Sequence, residues 1–465
     1  MENPDKMQRR TTKKGVIIAR TLNMTTGSPM KLLFSFALPL MFGNIFQQLY
    51  TIVDTAIVVQ GVGLTALAAL GTVDWLNWMM LGIAQGFTQG FCIRMSQNFG
   101  AQDPEGLKQT LGTSILLTAI LAIAGTVIAQ LGLPSFLRWM QVPDYLRPSA
   151  TLYSRIIMGG FAAVCFYNLC SSTLRAVGDS KTPLVAMVVA AITNIALDIL
   201  AVFVRKWGIA GAAAATVCSQ LLSGTICAIK IAATPELRFE KRHLTLDLQM
   251  AKDLMGIGVP AGAKNIIIAV GGMIVQTVVN SFDSVSFIAG FTATNKLYGL
   301  LEIAALSYGY AVTTYVGQNY GAGLLPRIRT GVRAANTLAM ISSVVICAVM
   351  LLFGRHITML FISREDMALA LEAGETAFRY LRLMSLSLPI LYLLYVFMSA
   401  LQGMGNTVTP MFSAAFELAI RLTVSLIVAR VGLPSGIFWA EVGAWYGGAA
   451  TQALGYFLQI RKLRK

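Results

Sequence analysis

An all-α membrane protein of twelve spans, arranged as two six-helix halves, is the fold class this sequence predicts. Three observations carry the prediction. The 465 residues are 56% hydrophobic and only 12% charged, where a soluble protein carries about 25% charged residues. Apolar runs recur along the whole length, and each has the roughly 20 residues needed to cross a hydrocarbon core as a helix. The two halves also repeat the same motifs in the same order.

Span one, 33–58, carries Pro39, Asn44, Gln47 and Asp54. Span two, 66–96, runs into the polar stretch SQNFGAQ (96–102). Spans three and four, 109–133 and 149–172, are followed by LRAVGDSKTP (174–183). Its Gly, Asp, Ser and Pro are turn residues that end one helix and start another. Span five, 183–204, contains TNIALDILAVF, in which Asn194 and Asp198 interrupt an apolar run, and span six lies at 208–231. The charged segment around Pro235–Asp253 separates the halves, and spans seven to twelve follow at 256–280, 286–316, 330–353, 376–401, 410–430 and 435–459. These runs are too long and too uniformly apolar for barrel strands, which leaves helices, whose backbone groups are satisfied internally.

The duplication is explicit. SQNFGAQ recurs as GQNYGAG (317–323), and Pro39 and Asn44 recur as Pro260 and Asn265, all displaced by 221 residues. LRAVGDSKTP recurs as LQGMGNTVTP (401–410), displaced by 227. The expected organisation is a tail (1–30), a first lobe (31–232), a linker (233–253), a second lobe (254–459) and a basic tail (460–465). Six spans per half is an even number, so the halves are parallel repeats about an axis normal to the membrane. That is a recurring plan of secondary transporters, with the substrate path between the halves.

The net charge of +15 raises the question of nucleic acid, which the placement of the charge excludes. Lys and Arg concentrate in the tails and in the loops on one side, among them Lys13, Lys14, Arg20, Arg461, Lys462, Arg464 and Lys465. By the positive-inside rule both termini are cytoplasmic, facing anionic lipid. No apolar segment with a cleavage site precedes span one, so no signal peptide is expected. The six cysteines fall within spans without a CxxC pair, and His243 and His356 have no ligand-like neighbours, which speaks against a His-based metal site or catalytic triad. There is no GxxxxGK[ST] phosphate loop. The chain is expected to be no enzyme and to draw energy from an ion gradient or to act as a passive facilitator.

A carboxylate in mid-membrane costs several kcal/mol and is a functional candidate by default. Six acids fall within spans: Asp54, Asp74, Asp198, Glu302, Glu417 and Glu441. Gln47 and Asp54 share one helix face at a spacing of seven residues, and Asn194 and Asp198 share another at a spacing of four. Were these faces to meet, two carboxylates and two amides would line one pocket. Such an oxygen set suits a hard cation such as Na⁺; a carboxylate pair also suits a proton.

The ordered motifs, QQLYTIVDTAIVV after Pro39, QNFGAQD, and RAVGDSKTP with NIALD in the next span, resemble the multidrug and toxic compound extrusion (MATE) family, in its prokaryotic branch. The resemblance covers about residues 31–459. It implies two lobes arranged as a V around a central cavity, and export of amphipathic, often cationic organic compounds (drugs, dyes, cationic metabolites) in exchange for Na⁺ or H⁺. It further implies a monomer in a prokaryotic plasma membrane, with no cofactor. The family's cation site falls here on Asp54, Asn194, Asp198 and Thr216, with Gln47, Tyr153 and either Asn168 or Ser171 nearby.

In the second half Asn194, Asp198 and Asp54 map to Arg421, Ser425 and Val275, so the acid pair belongs to one lobe. Glu417, one turn before Arg421, is expected to pair with it structurally. Span seven has Lys264 and no acid. Asp74, beside Trp75 and Trp78, reads as part of an interfacial belt. Met79, Met80, Phe87, Lys296, Glu302 and Tyr308 are candidate cavity or substrate contacts, since Met and aromatic faces suit promiscuous and cationic ligands. The alternative function, a lipid-linked oligosaccharide or polysaccharide flippase, calls for a cavity richer in Arg and Lys than Lys264, Lys296 and Arg421 provide.

Overall fold

A computed structural model describes residues 21–140, 142–362 and 367–464. The tail residues Lys13, Lys14, Arg20 and Lys465 lie outside them, as does the side chain of Asp74. Among the described residues there is no strand. The helices are α1 (Pro29–Val62), α2 (Leu64–Gly100), α3 (Pro104–Trp139), α4 (Arg147–Gly159), α5 (Phe161–Ala176), α6 (Lys181–Asp198) and α7 (Gly208–Ala233) in the first half. The second half holds α8 (Leu248–Asn280), α9 (Val285–Leu301), α10 (Ile303–Gly321), α11 (Leu325–Thr358), α12 (Met367–Gly403), α13 (Val408–Val431) and α14 (Phe438–Lys462).

With α4 and α5 as one rod bent by 42°, and α9 and α10 as one rod broken at Glu302, the described chain traces twelve successive rods. Among the described residues eight helices are singly long and apolar enough to cross a membrane, and the bent pair makes a ninth.

Local chemistry sets the boundaries. Asp103 caps α3 by accepting from the Gly106 N–H at 2.9 Å, with Pro104 at the first helical position. Asp247 caps α8 through the N–H groups of Gln249 and Met250. The repeated prolines, Pro39 and Pro260, both lie inside helices, where each removes one backbone hydrogen bond. The break at Glu302 is clasped from α12: the Tyr392 hydroxyl donates to the Leu301 carbonyl at 2.9 Å and Tyr395 to the Glu302 carboxylate at 3.2 Å.

The lobes meet along α2, which packs against α8 and α10, with α1 against α10 and α11. Glycines permit this closeness. Gly86 and Gly90 of α2 lie on the backbone at Gly262 and Gly258 of α8, so a side-chain carbon at either α2 position would collide with it. Asn265 donates to the Gly82 carbonyl at 2.8 Å, while its repeat partner Asn44 reaches Ser307 at 3.3 Å. The seam is pseudo-symmetric. Gly100 sits on the backbone of Gln318 and Gly321 on that of Gln97. Gln97 donates to the Gly403 carbonyl at 3.1 Å and Gln318 to the Ala176 carbonyl at 3.0 Å. These are the two copies of QN(F/Y)G, each reaching the last turn of a helix in the opposite half.

Candidate cation site in the first lobe

Helix α6 packs between α1 and α7, which brings the faces predicted to meet into contact. Asn194 and Asp198 are 1% and 0% exposed. Asp54 is half-buried on α1, and the two carboxyls interact directly with each other. Directly after Asp198 the chain winds as a π-helix over Ile199–Val204. Such a widened turn occurs frequently at functional sites.

The polar inventory here is unsatisfied. Neither oxygen of Asp198, neither atom of the Asn194 amide, nor Oδ1 of Asp54 has a hydrogen-bond partner in the protein, and the same holds for Oγ of Ser171 and Oε1 of Gln220. Buried polar atoms are almost always paired. A cluster of orphaned oxygens around two carboxylates therefore fits a positively charged guest. Thr216 commits its hydroxyl hydrogen to the Ala212 carbonyl at 3.1 Å, which leaves its lone pairs to the cavity it lines.

That cavity is lined by Gln47, Tyr50, Tyr167, Met187, Ala190, Ala191, Asn194, Thr216, Ser219, Gln220 and Ser223 and offers about 30 Å³ to a water-sized guest; Asp54 and Asp198 do not line it, and Asn194 is the residue it shares with the carboxylate cluster. This is room for a water or two, or for a cation with part of its hydration; a site for an organic drug is about tenfold larger. Tyr50, Tyr167, Ser219, Gln220 and Ser223 escaped the sequence reading. Tyr50 lies three residues after Gln47 and four before Asp54 on the polar stripe of span one, a signal available from helical spacing; the others needed the packing of α5 and α7 against α6.

The remaining predicted residues separate. Gln47 lines the cavity. Tyr153 packs half-buried against the Ile57 and Val58 cluster. The Asn168 amide donates back to the Val164 carbonyl of its own helix at 2.9 Å, whereas Ser171 is buried without a partner. Of the residues proposed to touch substrate, Met79 and Met80 pack against separate apolar clusters of the first lobe. Phe87 lies over Gly258 and Gly262 at the seam. Tyr308 is a correction: it is 2% exposed in the second-lobe core, its hydroxyl bonded to Ser342 at 2.9 Å, because α10 turns that face toward α11. Lys296 is exposed.

The second lobe is filled where the first is hollow. Arg421, the repeat partner of Asn194, makes a two-pronged pair with Glu441 (Nε to Oε2 2.9 Å, Nη2 to Oε1 2.8 Å). Its expected partner Glu417 is present but farther, at 3.8 Å. Trp445 donates to Glu441 at 3.2 Å. Gly271 makes room for Arg421 and Gly448 for Glu417, and Val275, the counterpart of Asp54, is buried among apolar side chains. Lys264 lies 3.6 Å from the Met398 sulfur. Among the described residues no group of three or more His, Cys, Asp or Glu is placed to hold a metal ion.

The MatE family model matches residues 39–200 and again 260–427, which is most of the chain. The chain belongs to the MatE family. The two matched segments begin 221 residues apart and end 227 apart, the same offsets the motifs show. A relative in Bacillus subtilis, described as a probable multidrug resistance protein, YpnP, is 30% identical over 92% of each chain. A protein of Shewanella oneidensis described as an FAD transporter is 25% identical over 63% of this chain and 66% of its own. Among solved structures, a MATE crystal structure in complex with MaL6 superposes with a TM-score of 0.89 at 22% identity, covering 96% of this chain and 99% of the other. An outward-facing multidrug resistance MATE transporter superposes at 0.88 with the same identity and coverage. MatE proteins are transporters and not enzymes, and this member is a multi-pass membrane protein.

Proposed function

We propose that this MatE protein exports amphipathic, often cationic organic compounds across a prokaryotic plasma membrane, driven by entry of Na⁺ or H⁺ through the first-lobe site. The observation that carries the reading is the cluster of buried, partnerless oxygens on Asp54, Asn194 and Asp198. A cation entering this cluster gains two carboxylates, an amide oxygen and the Thr216 hydroxyl in place of water, and it relieves the repulsion between the acids. The distribution of basic residues supports cytoplasmic termini, and with them the paired QN(F/Y)G motifs on that side. Cation binding and substrate binding then favour opposite arrangements of the two lobes, and exchange follows from their alternation. Relatives described as probable multidrug resistance proteins support organic substrates of this kind.

The test is ethidium uptake into everted vesicles or proteoliposomes, with a sodium gradient and a pH gradient imposed separately. Uptake driven by one of the two supports the reading and names the ion; uptake driven by neither, across a panel of cationic dyes, overturns it.

A further inference from the structure

Each half of the chain begins with a short lead-in before its first helix, and each lead-in is packed onto the other half. The lead-in of the second half, His243–Asp247, lies on α3 of the first: Gln109 donates to Asp247 at 3.1 Å and Thr113 to the Thr245 carbonyl at 3.3 Å. Gly112 of α3 sits against the His243 carbonyl. The equivalent positions 221 residues earlier are Leu22–Thr26, and they cross in the opposite sense. The Met24 N–H donates to Gln318 at 2.8 Å, and its carbonyl accepts from Asn319 at 3.1 Å and from Arg327 at 3.2 Å. Arg327 also bonds the Gly27 carbonyl at 3.1 Å. Met24 itself is fully buried in the second-lobe core.

This first lead-in also holds the first lobe. The Leu22 N–H donates to the Val177 carbonyl at 3.2 Å. Gly178, at φ +85°, leaves no room for a side chain beneath the Leu22 carbonyl, and Gly is the residue that takes such a backbone without strain. Gln318, which receives Met24, donates in turn to the Ala176 carbonyl of the first lobe at 3.0 Å. The segment therefore bridges both lobes at the end where the QN(F/Y)G motifs touch, and its bonds lie across the line along which the lobes would part.

We propose that Leu22–Gly27 is a strap that holds the lobes closed at this end, and that opening there requires the strap to leave Gln318, Asn319 and Arg327. The two lead-ins differ in what they join: His243–Asp247 bonds to α3 of the first half, whereas Leu22–Gly27 bonds to both halves, to Val177 of the first and to Gln318, Asn319 and Arg327 of the second. The strap's hold combines hydrogen bonds to its backbone N–H and carbonyl groups with the burial of Met24, and the net contribution of each such bond is small enough to be broken in a transport cycle.

Spin labels at Lys181→Cys on the first lobe and Thr330→Cys on the second, both exposed at this end, report the separation of the lobes. The background carries Cys218→Ser and Cys347→Ser, since the other four cysteines are buried. Three chains are compared by pulsed electron–electron resonance: this parent, Arg327→Ala, and a chain lacking residues 1–24. Circular dichroism melting accompanies each and shows that it is folded. The parent is expected to give mainly one short distance. Both variants are expected to raise the longer-distance population by about fivefold or more, since Arg327→Ala loses the two hydrogen bonds from Arg327 to the strap and the shortened chain loses those made by Leu22 and Met24. An unchanged distribution in both folded variants overturns the proposal. So does a shift on Arg327→Ala without one in the shortened chain, which would assign the effect to the guanidinium and not to the strap. The readout needs neither substrate nor coupling ion, so it fails or succeeds separately from the function proposed above.

Discussion

Asp198→Asn separates an ion site from a structural acid, because the two roles predict opposite signs for stability. The carboxylate is 0% exposed and accepts no hydrogen bond from the protein. A structural acid would be holding donors, and its removal would leave them unpaired at about 1–3 kcal/mol. Here there are none to orphan, so the isosteric amide is expected to leave the melting temperature of the ion-free protein unchanged or to raise it. Transport should respond differently. A unit charge about 4 Å from a bound cation contributes about 4 kcal/mol at an effective dielectric of 20. Part of that is offset because Asp54 no longer repels a neighbour in the empty site. A net loss of roughly 2–3 kcal/mol lowers cation affinity on the order of a hundredfold. The assay is gradient-driven dye uptake in proteoliposomes, with cation binding followed as ligand-dependent thermal stabilisation. Normal gradient-driven uptake by a folded Asp198→Asn protein would refute the assignment. A fall in melting temperature of several degrees without the ion would instead make Asp198 a structural residue.

Three further outcomes are expected. Asp54→Asn should weaken coupling by a smaller factor, about tenfold, because this half-exposed carboxylate is partly screened by water; the same uptake assay checks it. Arg421→Met should lower stability by about 3–5 kcal/mol by leaving Glu441 and Glu417 buried without their cation, measured by denaturation in detergent, and adding Glu441→Gln should recover part of the loss. Gly100→Ala should lower both the melting temperature and dye transport, because its side-chain carbon would overlap the Gln318 carbonyl at the seam; wild-type values for both would show that the seam tolerates separation.

The span pattern, the duplication and the polar faces of α1 and α6 were legible because each rests on a periodic signal, whereas the meeting of those two faces followed from the family resemblance. Apolar runs count residues across a membrane, and Asn194 and Asp198 fall on one face by helical spacing alone. What stayed hidden depends on non-local packing. Glu441 as the partner of Arg421 lies twenty residues downstream on another helix, while the local rule favours Glu417, whose side chain turns partly toward Ser413 (3.4 Å). Tyr308 reads as an aromatic in a transporter span, and only the approach of α11 buries it. The break at Glu302 carries no Pro or Gly within the pair Leu301–Glu302, so nothing local announces it; tyrosines from α12 take up the freed groups. The strap lies in the polar lead-in before span one, where composition suggests a solvated tail.

The two lobes descend from one repeat, yet they differ, and the physical difference lies in how each fills the same position. In the second lobe the site of Asn194 holds Arg421, whose guanidinium occupies the interior and closes a network with Glu441, Glu417 and Trp445. Such a network is satisfied without a guest. In the first lobe the same position holds a short amide beside an acid, and the volume released remains as a cavity lined by unpaired oxygens. An empty cluster of this kind is costly to bury, and the cost falls when a cation enters. Its occupancy can therefore bias the arrangement of the lobes, while the filled lobe stays nearly indifferent. At the seam the logic reverses, and symmetry is kept: Gln97 and Gln318 reach Gly403 and Ala176 with nearly equal bonds. A contact that must open and close as two rigid bodies rock gains from equal load on both sides. A site that must respond to one ion does not. Restoring an acid at Ser425, with Arg421→Asn, should then create a second cation-dependent rise in melting temperature. Its absence in a folded protein would show that the cavity, and not the side-chain identities alone, decides where the cation binds.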